Sequence, residues 1–275
     1  MAQPIDVDGH RIAWRETSPA APGSTVVLLH GLGGSRISWE PQLAALGERF
    51  RTVAWDLPGY GASRQLAGHT TFASLADSVI ELVDQLGAAA VHLVGISFGG
   101  MIAQYAAAAH PNRIASLTLL STSSKFGLDG TTPEEWRAAR LAPLDAGEEP
   151  VDFAGRVLAG LAGPHISSAA LDGQRAAMAR VTGAALRRSI NCLVSHDSRA
   201  LLGHLTAPTL CLVGDLDTET PPSYAMALAD LIPRARLTIV EGAGHLLNVE
   251  APDQVNAAIA QHIEMALDAE WGAPA

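Results

Sequence analysis

The chain has 275 residues, of which 48% are apolar, 17% charged and 5% aromatic. That composition excludes disorder, collagen-like sequence and low complexity. Eighteen Lys plus Arg against 28 Asp plus Glu leave a formal net charge of -10, so the long-range field repels nucleic acid and anionic membrane surfaces.

Ile5 to Val7 and Ile12 to Trp14 flank the turn pair Asp8-Gly9 and predict an antiparallel hairpin at a sheet edge. Short apolar, β-branched runs then recur at Thr25 to Leu29, Thr52 to Trp55, Val91 to Val94, Leu117 to Leu120, Thr209 to Val213 and Leu237 to Val240. Such runs read as buried strands of a parallel sheet. Between them lie helical patterns, the clearest being the stripe Phe72, Leu75, Val79, Leu82, Val83 and Leu86, ended by Gly87. Strand alternating with helix predicts a mostly parallel, doubly wound α/β sheet. The alternation breaks over residues 121–205, where helical patterns around Trp136, Val157, Ala177 and Leu193 are separated by Gly and Pro. This segment reads as a helical insertion into one α/β core formed by residues 1–120 and 206–275. No run reaches the ~18 apolar residues of a membrane span, and Met1 to Arg15 lacks a signal-peptide pattern. The expectation is a soluble, cytoplasmic protein with Cys192 and Cys211 buried and reduced; a homodimer is compatible with the sequence.

Chemistry concentrates at Gly95-Ile96-Ser97-Phe98-Gly99, which follows a strand and opens a small-residue helix. A serine on so sharp a turn needs glycines two residues to either side, and the turn lifts its hydroxyl above the sheet. The Phe98 N–H and the helix dipole there can stabilise negative charge. A serine hydroxyl also needs an imidazole to take its proton and a carboxylate to orient that imidazole. Among ten histidines, only His245 follows a predicted strand in a tight glycine loop, whereas His69, His110 and His196 read as surface or helix-end residues. For the acid, Asp215, Asp217 and Glu219 all follow the strand Thr209 to Val213. No metal-protease, P-loop or paired Cys-x-x-Cys motif occurs, so neither a metal nor an organic cofactor is expected.

The order Ser, acid, His resembles the α/β-hydrolase superfamily. Its G-x-x-D-x-x-x-P loop matches Gly214, Asp217 and Pro221, which selects Asp217 as the acid and leaves Asp215 and Glu219 as solvated loop residues. His30-Gly31-Leu32-Gly33-Gly34 resembles the family's oxyanion loop, implying a second oxyanion donor at the Leu32 N–H. Asp56-Leu57-Pro58-Gly59-Tyr60-Gly61-Ala62-Ser63 resembles a structural turn of the same family. Residues 121–205 then correspond to its helical cap. Dehalogenases and epoxide hydrolases of this fold carry aspartate where Ser97 stands, which excludes them.

Within the superfamily, Ser123-Ser124-Lys125-Phe126-Gly127, Pro133-Glu134-Glu135-Trp136, Thr220-Pro221-Pro222 and the segment from His245 to Glu250 resemble 3-oxoadipate enol-lactonases. That resemblance implies hydrolysis of a small ester or lactone, with Trp136 lining the substrate site and His30 beside it. Arg137, Arg140, Arg156, Arg175, Arg180, Arg187 and Arg188 of the insertion offer partners for a substrate carboxylate. A carbon–carbon bond hydrolase of ring-cleavage products, a generic carboxylesterase and a non-catalytic receptor are the alternatives.

Overall fold

A computed structural model describes residues 3–18 and 23–268; the terminal segment 269–275, which the family resemblance does not reach, lies outside them. Among the described residues eight strands form one sheet: β1 (Ile5–Val7), β2 (Trp14–Thr17), β3 (Thr25–Leu29), β4 (Arg51–Trp55), β5 (Val91–Ile96), β6 (Ile114–Leu120), β7 (Thr209–Gly214) and β8 (Arg236–Val240). Their spatial order is β1-β2-β4-β3-β5-β6-β7-β8. β1, β2 and β4 pair antiparallel, and every pairing from β4 to β8 is parallel. The chain turns to one side after β3 and to the other at β5, so the crevice at their carboxyl ends is the switch point where ligands bind in open α/β sheets.

The hairpin differs from expectation. Val7 pairs with Trp14 and Ile5 with Glu16, so the second strand is Trp14–Thr17 and the connection covers residues 8–13. Ile12 and Ala13 are drawn off the ladder by burial and by hydrogen bonds elsewhere. The Ala13 N–H donates to Ser63 Oγ at 2.8 Å and its carbonyl accepts from the Asp56 N–H at 2.8 Å.

The sheet separates two cores, which is why its central strands are apolar throughout. Val27 and Leu29 face one side, with Val53, Trp55 and α2 (Phe72–Gln85). Val26 and Leu28 face the other, against α1 (Glu40–Leu46) and the long C-terminal helix Pro252–Leu267. α2 begins where Thr71 Oγ1 accepts the Ser74 N–H at 3.1 Å and stops before Gly87 at φ +67°. α3 (Phe98–Ala109) follows β5 directly.

Five helices lie between β6 and β7: α4 (Pro133–Asp145), α5 (Pro150–Leu161), α6 (Ser168–Met178), α7 (Gly183–Leu193) and α8 (Arg199–Leu202). Phe153, Leu158, Met178, Leu186 and Ile190 join the same apolar cluster as Val27 and Leu29, so the insertion packs onto one sheet face. A second tie is ionic. Asp56, fully buried, takes the Arg36 N–H at 3.0 Å and the Ala62 N–H at 3.1 Å, and pairs with the guanidinium of Arg180 at the end of α6 at 3.3 Å. After β7 come α9 (Pro222–Leu231), α10 (Leu247–Glu250) and α11 (Pro252–Leu267). No helix among the described residues is long and apolar enough to cross a membrane. Cys192 and Cys211 are free and buried.

Candidate active site

Ser97 joins β5 to α3 at φ 52° and ψ −119°, a conformation that costs a side-chain-bearing residue about 1–3 kcal/mol. Close approach of the backbone holds it there. A Cβ on Gly95 would collide with the Gly99 carbonyl, and one on Gly99 with the Leu29 carbonyl. The Ser97 N–H donates to the Leu120 carbonyl at 2.9 Å, and its own carbonyl accepts from the Thr122 hydroxyl at 2.8 Å. Strand, turn and helix are thus locked together from β3, β5 and β6.

Because β3 pairs with β5, the loop from His30 to Gly34 reaches the serine turn. A Cβ on Gly31 would stand 3.4 Å from the Ser97 Cβ. His30 itself does not reach the substrate space, contrary to expectation. It is fully buried, its Nε2 accepts the Leu57 N–H at 3.1 Å, its Nδ1 donates to the Gly31 carbonyl at 2.8 Å, and its ring stacks on Tyr60. Burial pulls its pKa below 6.5, so a neutral His30 braces the loop that carries Leu32. The resemblance set His30 beside the substrate, but the ring turns inward, where it satisfies the buried Leu57 N–H.

Asp217 and His245 follow the adjacent strands β7 and β8 and meet at the same sheet end. His245 Nδ1 lies 2.9 and 3.1 Å from the two carboxylate oxygens of Asp217. Asp217 Oδ1 also accepts the N–H groups of Glu219 and Thr220 at 3.0 and 2.9 Å, and Oδ2 accepts the Thr220 hydroxyl at 3.0 Å. With Nδ1–H donated to the acid, Nε2 is the ring's acceptor. Burial opposes both charges, yet the attraction between them prevails: the Asp217 pKa lies below its ordinary value and that of His245 above 6.5. Asp215 is exposed and bound to the Gly242 N–H at 2.7 Å. Glu219, expected in solvent, is half-buried and accepts two bonds from Arg140 at 2.8 and 2.9 Å.

The loop that carries His245 is fastened to the insertion. The His245 N–H donates to the Leu161 carbonyl at 3.0 Å. Glu250 accepts N–H groups from Gly163 at 2.9 Å, Gly244 at 2.8 Å and Leu246 at 2.9 Å. Sequence reasoning gave Glu250 no role, because a carboxylate beside a helix start carries no sign of which distant N–H groups it will meet. His196, read as a surface or helix-end residue, lies just past the end of α7 and is buried, with its ring nitrogen 2.9 Å from the Ser123 carbonyl. Burial pushes its pKa down to about 4, and it serves as packing under the insertion.

A cavity of about 190 Å³ opens over Ser97 and His245. Its floor is the loop from Gly31 to Gly34; its roof is Trp136, Phe153, Leu158, Met178, Leu186 and Ile190. Trp136 packs edge-on against Phe126, and the Arg140 guanidinium lies 5.1 Å from its ring centre. Among the described residues no three His, Cys, Asp or Glu side chains are grouped to hold a metal ion.

A model of the alpha/beta hydrolase family matches residues 26–258, which take in every strand from β4 to β8 and all three polar side chains of this site. The chain belongs to that family. This hydrolase is 31% identical over 264 residues to a protein of Yersinia enterocolitica serotype O:8 / biotype 1B named putative carbamate hydrolase RutD, covering 91% of this chain and 90% of that one. Among solved structures it is similar to a hydrolase from Pseudomonas aeruginosa PA01, with a TM-score of 0.83 and 29% identity over 95% of this chain and 98% of that one. It also resembles the enol-lactonase from Burkholderia xenovorans LB400, with a TM-score of 0.81 over 92% and 96% of the two chains; at 24% identity that likeness is one of fold.

Proposed function

We propose that this hydrolase cleaves a small carboxylic ester or lactone through an acyl-enzyme on Ser97. The observation that carries the reading is the His245 Nδ1 to Asp217 contact at 2.9 Å, which leaves Nε2 as a base over the cavity that Ser97 also lines. In the first half-reaction Ser97 Oγ attacks the carbonyl carbon while its proton passes to Nε2. The tetrahedral oxyanion is held by the N–H groups of Leu32 and Phe98, worth about 2.7–4 kcal/mol per donor. The C–O bond then breaks and the leaving alkoxide takes the proton from His245. Water, deprotonated by the same imidazole, attacks the acyl-enzyme, and the serine leaves with that proton. In a lactone the leaving hydroxyl stays on the acyl chain.

The relatives fit this chemistry: a carbamate, like an ester or a lactone, places a carbonyl beside a heteroatom leaving group. The roof of the cavity is apolar, which suits an aliphatic acyl group, and Trp136 supplies its largest face. The two half-reactions need no bound cofactor. A panel of lactones, aryl and alkyl esters, carbamates and ring-cleavage dienoates, assayed on wild type and on Ser97→Ala, tests the reading. Ester or lactone turnover that survives chelation and vanishes in S97A is expected. Dienoate cleavage alone would replace the proposal with carbon–carbon bond hydrolysis, and full ester turnover by S97A would remove the acyl-enzyme.

A further inference from the structure

β8 ends at Val240 and His245 stands five residues beyond it, so strand pairing does not fix the backbone that carries the imidazole. Three successive N–H groups do so instead. That of His245 donates to the Leu161 carbonyl at 3.0 Å, and those on either side of it, from Gly244 and Leu246, donate to Oε2 and Oε1 of Glu250 at 2.8 and 2.9 Å. Glu250 thus brackets the histidine. We infer that Glu250 is a positioning residue for the proposed base, keeping the His245 ring in register with Asp217 through the two peptide groups that flank it.

Capping of the short helix α10 does not account for this arrangement. A cap needs only an acceptor for the Leu246 N–H, four residues before Glu250, whereas the other carboxylate oxygen takes two N–H groups from outside that helix. One belongs to Gly244 and the other, at 2.9 Å, to Gly163 just past the end of α5. Both glycines are buried and closely opposed: a Cβ on Gly163 would stand 2.8 Å from the Gly244 nitrogen, and one on Gly244 2.5 Å from the Gly163 nitrogen. Two buried N–H groups that converge on one point repel each other unless an oxygen with lone pairs for both sits between them. Glu250 Oε2 is that oxygen. The contact also ties the loop of His245 to the insertion, since Gly163 and Leu161 lie on the same turn of chain. A glutamine at position 250 would fit the space but not the donors, because its amide must aim an N–H either at Leu246 or at the Gly163 and Gly244 pair. The carboxylate acts on the ring through space as well. Burial lowers the His245 pKa, while Asp217, Glu219, itself paired with Arg140, and Glu250 raise it.

The assignment rests on the serine-hydrolase reading, and the test separates the two. Wild type, S97A, Glu250→Gln and Glu250→Asp are compared by hydrolysis of 4-nitrophenyl acetate and by the low-field proton resonance of the His245 Nδ1–H in protein carrying isotopically labelled histidine, assigned by its loss in Asp217→Asn. Glu250→Gln should lower kcat about 10- to 100-fold with KM within about twofold of wild type, the scale of a small misplacement of reacting groups. Its acid limb should move to lower pH, because one of the anions that favour the charged ring is gone, and the resonance should shift or broaden. Glu250→Asp keeps both oxygens but reaches one methylene less, so it should lie between E250Q and wild type in all three readouts. Unchanged kcat and resonance in E250Q overturn the positioning role, and so does a lower melting temperature as its only change. Wild-type values of all three readouts in E250D overturn it equally, which keeps the role open to refutation if E250Q does not fold. Undiminished turnover by S97A overturns the serine reading alone. The resonance needs no turnover, so E250Q placed in the S97A background reports on Glu250 by itself: a displaced Nδ1–H signal there supports the role, and an unmoved one refutes it.

Discussion

α3, which Ser97 caps, and α4, which roofs the cavity with Trp136 and Arg140, are built in opposite ways. Nine of the 12 residues of α3 are buried, and none of the 13 in α4 is. On the proposed reading, the difference separates chemistry from choice of substrate. α3 fixes the Phe98 N–H and the Ser97 turn inside a packed core, where a displacement of a few tenths of an ångström would force neighbouring backbone apart. α4 presents Trp136 and Arg140 from a half-solvated helix whose packing tolerates change. The floor is therefore the part that a mutation breaks, and the roof the part that a mutation retunes.

The largest effect is expected at the floor. Ser97→Ala should lower kcat by about 10⁴- to 10⁶-fold with an unchanged melting temperature, measured on whichever ester the wild type turns over. If the two regions contributed equally to chemistry, a roof substitution would match it. Next, Asp217→Asn should cost about 10⁴-fold in kcat by releasing the Nδ1–H of His245 into the wrong tautomer, while Asp215→Asn should cost less than about tenfold.

On the proposed reading the same pair sets the pH profile. Facing Asp217 raises the His245 pKa above 6.5 against the pull of burial, and a protonated Nε2 cannot accept the serine proton. Wild-type kcat/KM should therefore fall as pH drops through a value above 6.5. In D217N the anion is gone and burial, which favours the neutral ring, remains, so the residual acid limb should move to lower pH. A limb that does not move would mean that another group titrates.

The stitch between floor and roof should matter for stability. Asp56→Ala leaves the buried Arg36 N–H without its acceptor and removes a carboxylate from Arg180 and from Arg36, which keeps Asp8; a stranded buried donor costs about 1–3 kcal/mol, and urea denaturation measures it. The smallest effect is expected at the roof itself. Trp136→Ala should raise KM severalfold and cost less than the ~3 kcal/mol lower bound for truncating a buried aromatic, because the indole is only half-buried. A larger stability loss with unaltered KM would make Trp136 packing rather than pocket wall, and would place α4 with α3.

The site was legible wherever local geometry restricts the residue types. Only a glycine fits at Gly95 and Gly99, so the serine turn announces itself in sequence, and the parallel strands β3 to β7 show as apolar runs because both of their faces are covered, whereas β8 at the sheet edge is largely exposed. The same logic failed for the hairpin. Ile12 looked like strand because it is apolar, but it is apolar for packing under the Asp56 turn. It failed again for His30, since a histidine at a strand end reads alike whether its ring points at substrate or at a buried N–H.

What the chain's sequence determined by itself is the order of elements and the residue types at their ends: a serine after β5, an aspartate after β7 and a histidine after β8. What only the tertiary structure decided is which charges remain available once side chains from distant segments have met. Glu219 found Arg140 across 79 residues and Glu250 found Gly163 across 87. Partner choice of this kind depends on distances set by sheet order and helix packing, and those are sums of many weak apolar contacts spread over the whole chain.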